Sequence, residues 1–310
     1  MSEDHIKSFI NQQIGIDTLI LLKNYKSWGL LSRTFMLKEQ EKMLQDLLTN
    51  QGHFDRYNER QKTFVELSIY LDTLDRLCLL IEDFCSLAYA LWDSLLLFPQ
   101  RIISQPNPEN ILKQFSQDRL FMLLRYAPVD VVASRPEDRL LLDSVRSRNV
   151  EVLMKMVAAV QYFVGLYWLG FTKRKHANTL LYGFEVNEIR GERAFLVPVM
   201  YNRKAPSDMR AIIITPTILA TWRDLFNSIY QLAEDLIERT IEYAETGGHL
   251  VAERVLYFNI EETESLRLRE IIAGHDQNAA RSTVEASVQG AIPEEVIERH
   301  FGLLKKCKLK

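Results

Sequence analysis

The residues of this sequence best suited to chemistry are cationic and stand close together. Between Lys173 and Arg210 there are eight basic residues, Lys173, Arg174, Lys175, Arg190, Arg193, Arg203, Lys204 and Arg210, against four acidic ones, Glu185, Glu188, Glu192 and Asp208. The whole chain has a formal net charge of −3, so this positive excess is local. Lysine and arginine at such density neutralise phosphates, and the interleaved Tyr182, Phe184 and Tyr201 are residue types on which bases stack. Lys173, Arg174, Lys175, Arg190, Arg193, Arg203 and Lys204 are therefore the candidate phosphate or nucleic-acid platform. In the competing reading the charges are dispersed over both faces of a small sheet, and the first three complement the negative end of a helix dipole.

Catalytic devices that a sequence displays openly are missing. No Walker loop, dinucleotide glycine fingerprint, GxSxG elbow or HExxH occurs. None of the six histidines has Glu three positions before it, which removes the Glu-x-x-His pattern of a di-metal carboxylate centre. Cys78, Cys85 and Cys307 form no CxxC pair for zinc, and a set so odd and sparse argues against a disulfide framework. The acidic Glu261 to Glu264 run suits a helix start better than a metal. No metal and no cofactor is expected.

One further arrangement stands out. Arg269-Glu-Ile-Ile-Ala-Gly-His275 resembles the Arg-x(4–6)-His motif of the HEPN family, small helical bundles many of which are metal-independent endoribonucleases acting as dimers. The resemblance implies that His275 would do general acid/base work on the ribose hydroxyl and leaving oxygen, with Arg269 holding the phosphate. Imidazole titrates near neutral pH and guanidinium binds phosphate oxygens in bidentate fashion, so both roles suit the residue types. The chain departs from the motif in carrying Glu270, and not the Asn often found there, just after the arginine, and Gly274 stands where a helix would end.

The elements that carry these residues are mostly helical. Between residues 59 and 97, Leu67, Leu71, Leu74, Cys78, Ile81, Cys85, Ala88, Trp92 and Leu95 recur at alternating four- and three-residue spacing, which predicts one long helix. A second stripe, Tyr70, Leu77, Leu80, Phe84, Leu87 and Leu91, widens its apolar arc and puts it at the centre of a bundle, with both cysteines as small core residues. Residues 4–24 and 32–49 are predicted helices. Asn107 with Pro108 predicts a capped start to a helix running to about 126, and Ser134 and Glu137 around Pro136 predict the next. Near Leu180 the period changes, and "LLYGFEVNEI", "RAFLVPVMY" and "AIIITP" read as three strands separated by Arg190-Gly191-Glu192 and by the loop "NRKAPSDM". Pro198 demands an edge position or a bulge. Helix resumes at Thr215-Pro216 and stops at Gly247-Gly248.

The predicted fold class is mainly α, a multi-helix bundle of long antiparallel helices with a small inserted antiparallel β-meander. The bundle covers 1–247 with the meander at about 179–214, and 248–310 form a short helical C-terminal extension. Acids in Met-Ser-Glu-Asp-His stand where a secretory signal would be basic, and a cytoplasmic protein is expected. Val157 to Phe171, the most apolar stretch, is 15 residues against the roughly 20 of a membrane span, so no transmembrane span is expected. The expected function is that of a non-enzymatic interaction or regulatory protein engaging a partner protein or nucleic acid through helical surfaces and the basic meander. The alternative is a HEPN-like endoribonuclease or toxin using Arg269 and His275. A second copy of the chain is a further partner compatible with either.

Overall fold

The computed structural model describes residues 3–26, 31–49, 52–92, 94–104, 106–175, 184–202, 205–248 and 262–275. Helices α1 (Glu3–Phe9) and α2 (Ile16–Asn24) flank a π-helical turn at Ile10–Ile14. They are not one helix, because Gly15 adopts φ 86°, and its N–H closes on the Ile10 carbonyl before α2 starts. α3 (Leu31–Leu48) and α4 (Glu59–Leu91) follow. α4 stops short of the predicted length: Trp92 and Leu95 continue its buried stripe from a turn and from a 3-10 turn at Leu95–Leu97.

The segment after Asn107 is split. α5 spans Phe98–Ile103, and Asn107 then caps the helix Pro108–Leu112, α6, as predicted, its side chain accepting from the Glu109 N–H at 2.9 Å. A new cap, Ser116 on the Arg119 N–H, then starts α7 (Gln117–Leu124). α8 (Val129–Val132) leads to the 40-residue α9 (Pro136–Lys175).

The meander is a three-stranded antiparallel sheet in the order β1 (Glu185–Ile189), β2 (Glu192–Asn202), β3 (Ala205–Ile214). Arg190 and Gly191 join the first two strands with positive φ at both positions, 57° and 78°, as a two-residue primed turn requires. β3 reaches back to Ala205, so the predicted "NRKAPSDM" loop is largely strand. Among the described residues β1 pairs with β2 only from Glu192 to Leu196, so Pro198 lies where a single neighbour needs donors. A register shift follows between Met200 and Asn202. α10 (Pro216–Glu245) starts with the Thr215 hydroxyl accepting from the Ile218 N–H at 3.2 Å. It ends before Gly247 and Gly248, both at positive φ, and α11 spans Glu262–His275.

The chain divides into two compact units, one of residues 1–30, 82–159 and 227–310 and the other of 31–81 and 160–226. In the first, Phe115 stacks on Phe84 and meets Trp92 edge-on, and Phe9 meets Tyr243 edge-on. A Cβ at Gly248 would lie 2.9 Å from the Phe9 ring, so the glycine is required by contact as well as by φ. In the second, Phe163 meets both Trp222 and Phe226 with centroids 4.9 Å apart, and Tyr70 meets Phe195 from the sheet. α9 is long and apolar enough by length and composition to cross a membrane, and just under half of its most apolar stretch is buried. Met156, Val157, Val160, Phe163, Val164, Tyr167 and Phe171 are buried, whereas Ala158, Gln161, Gly165 and Leu166 are exposed.

Candidate functional site

Of the seven platform residues, the structure gives Arg193 contacts, and it turns them inward. Arg193 Nη1 lies 2.9 Å from Glu66 Oε2, its Nη2 donates to the Thr63 hydroxyl at 2.5 Å, and its guanidinium sits over the Phe195 ring. Glu66 is buried on α4 and also accepts from the Tyr70 hydroxyl at 3.0 Å. Burial and this neighbouring carboxylate push the Tyr70 phenol well above its usual range. Arg190 occupies the β1–β2 turn. Lys173, Arg174 and Lys175 form the last turn of α9, and their side chains lie outside the described part, as do Arg203 and Lys204 altogether.

Arg269 and His275 are carried by one helix, α11. Six residues at about 100° each set them roughly 120° apart around the axis and about 9 Å along it, on different faces. Their side chains also lie outside the described part.

A cleft of about 280 Å³ in the second unit is formed where α3, α4 and the start of α10 meet. Arg223 Nη1 pairs with Glu41 at 2.9 Å, the Thr73 hydroxyl donates to Gln40, and Gln40 donates to Asp72. The positive end of the α10 dipole is already served by this chain, since Glu192 accepts from both the N–H and the hydroxyl of Thr217. The ionisable groups of this cleft are thus engaged in internal pairs.

Sequence reasoning missed a set of arginines in the first unit, Arg146 and Arg239 buried and Arg125 half-buried. Arg239, Arg146 and Arg125 donate to the carbonyls of Leu124 (2.6 Å), Ala127 (2.6 Å) and Leu91 (3.1 Å). Arg125 also reaches the Thr240 hydroxyl, and Arg146 and Arg239 both lie over the Tyr126 ring. Leu91 and Leu124 end α4 and α7, so the Arg125 and Arg239 guanidiniums satisfy carbonyls that helix ends leave open. Burial lowers the Arg125 pKa to about 10. The one sequence signal was arginine within otherwise apolar helical segments.

The first unit also carries an apolar surface. Gly15 starts α2, and the Thr18 hydroxyl donates to the Leu95 carbonyl at 2.8 Å, which seats α2 beside the 3-10 turn and α5. Thr18 and Leu22 then face inward, and Ile16 and Ile20, one turn apart, face out with exposures of 58% and 52%. Leu96, whose side chain would meet a Cβ placed on Gly15 at 3.5 Å, is 44% exposed, Leu97 45% and Ile103 on α5 76%.

Among the described residues no group of three or more His, Cys, Asp or Glu side chains is arranged to hold a metal ion. No protein-family model, curated protein or solved structure matches the chain.

Proposed function

We propose that this chain is a non-enzymatic helical interaction protein that engages a partner protein. The observation that carries this reading is the apolar surface of Ile16, Ile20, Leu96, Leu97 and Ile103. Large aliphatic side chains left in water at neighbouring positions gain roughly 25 cal/mol for each Å² that a partner covers. The internal pairing of Arg223, Glu41, Glu192 and Arg193 supports binding by surface rather than catalysis in a cleft. A protein partner is favoured over nucleic acid because Arg193 is committed to Glu66, which leaves the positive platform weaker than its composition suggests. The ribonuclease reading draws its support from the sequence pattern alone.

Affinity purification from the native host tests this, comparing the wild type with Ile16→Asp/Ile20→Asp and with Arg190→Ala/Arg203→Ala/Lys204→Ala. The expected result is a stoichiometric protein partner that withstands high salt, is lost with the aspartates and is kept with the alanines. A nuclease-sensitive, salt-labile partner lost only with the alanines would overturn it in favour of nucleic acid. Metal-independent RNA cleavage abolished by His275→Ala would replace it with the ribonuclease.

A further inference from the structure

Among the described side chains of α11, which belongs to the first unit, those turned inward form one stripe. Glu264, Arg267, Leu268 and Ile271 recur at i, i+3, i+4 and i+7, the spacing of one helix face, while Leu266 off that stripe is 53% exposed. Leu268 and Ile271 are buried in a small cluster with Val132 of α8, Ala133 just after it, and Leu142 and Val145 of α9. Ion pairs flank it on both sides. Arg148 Nη2 donates to both carboxylate oxygens of Glu264 at 2.9 Å, and Arg267 approaches Asp138 Oδ1 with Nη2 at 2.5 Å and Nε at 2.8 Å. Arg267 Nη1 also holds Glu270 at 2.8 Å. A polar cleft of about 270 Å³ runs alongside, lined by Ser134, Arg135, Asp138, Arg267 and Glu270.

We propose that α11 is a displaceable strap: an amphipathic helix bound in cis over an α8–α9 groove, whose place a partner's helix of the same pattern takes. The pattern is the one α11 shows, an acid, then arginine and leucine three and four positions on, then an aliphatic residue at the seventh. This rests on the protein-interaction reading for the partner, but the strap itself is a property of the chain alone. Among the described side chains of α11 the buried apolar ones are Leu268 and Ile271, a smaller anchor than that of α9, which buries Leu142, Val145, Val150, Leu153 and Met156. The flanking pairs each join a partly exposed arginine to a less exposed carboxylate, Arg148 at 40% to Glu264 at 27% and Arg267 at 35% to Asp138 at 11%, so salt screens them in part. A 14-residue helix is marginal in water by itself, so leaving the groove and unwinding occur together. Arg269 and His275 travel with it.

Hydrogen exchange on the full chain, read by mass spectrometry, tests the strap. Amides of residues 264–275 should exchange about 100-fold faster than those of 142–156, and about 5-fold faster again when salt is raised or Asp138 is changed to Asn. Leu268→Asp should detach α11 and leave the groove intact. A labelled synthetic peptide of wild-type sequence 262–275 should then bind that variant about 10-fold more tightly than the wild type, where the cis helix competes. Equal protection of α11 and α9, unfolding of the first unit by Leu268→Asp, or equal peptide binding to both proteins would each overturn the proposal. Because no partner enters these measurements, failure to find one would leave their outcome unaffected.

Discussion

Arg193 Nη1 stands 2.9 Å from Oε2 of Glu66, a carboxylate whose side chain is 5% exposed and whose other oxygen accepts from Tyr70. A residue from the start of β2 thereby neutralises a charge held on α4, inside the same unit. Arg193→Ala leaves Glu66 buried with, among the described residues, the phenol as its remaining donor. The full cost of orphaning a buried ion is about 3–5 kcal/mol. Arg193 is itself 42% exposed, so water takes part of its place, and a loss of about 1–2 kcal/mol is expected in urea unfolding. Glu66→Gln with Arg193→Met should recover most of it.

The same pair carries a pH signature through Tyr70. Its folded pKa is raised, so above the unfolded value of about 10 the unfolded chain loses this proton first, and stability falls as pH rises. Tyr70→Phe should flatten part of the decline in Tm above that pH. An unchanged slope would show that the phenol is not held protonated.

Arg125 has the opposite sign. Its folded pKa, about 10, lies below the unfolded 12.5, so the unfolded state binds more protons between these values and this group's contribution to stability rises with pH across that window. At neutral pH the guanidinium remains because it serves the Leu91 carbonyl and the Thr240 hydroxyl at once. Arg125→Lys retains charge and loses the fork, and a drop of about 1–3 kcal/mol is expected by chemical denaturation.

Cys78 and Cys85 are fully buried, and burial with Glu82 nearby pushes the Cys85 thiol far up. Thiolate is the reactive form, so neither should be alkylated by iodoacetamide in the folded protein at mildly alkaline pH. Both should react within minutes in guanidinium. Native labelling at either position, located by peptide mapping, would contradict their place in the core.

The class of fold and many element starts were legible in the residues alone, because those follow from local chemistry. Alternating four- and three-residue apolar spacing specifies α4, Asn107 and Thr215 supply caps beside prolines, and Arg190-Gly191 accepts the positive φ of a tight hairpin. The breaks were less legible. The Gly15 kink, the end of α4 at Leu91 and the Ser116 restart fall inside stretches whose apolar pattern runs on, since Trp92 and Leu95 are buried whether or not the backbone is helical.

The roles of the charged residues depend on how distant elements pack. Sequence counts Arg193 as one cation of a platform, and a carboxylate more than a hundred positions away, buried in a neighbouring helix, makes it an internal ion pair. It likewise joins Arg267 to Asp138 and Arg148 to Glu264, and turns Arg125, Arg146 and Arg239 onto backbone carbonyls. Periodicity reports which face of an element is apolar. It carries no term for the partner that a long, flexible cation finds once distant elements pack, and at these positions burial and pairing across the fold set the role.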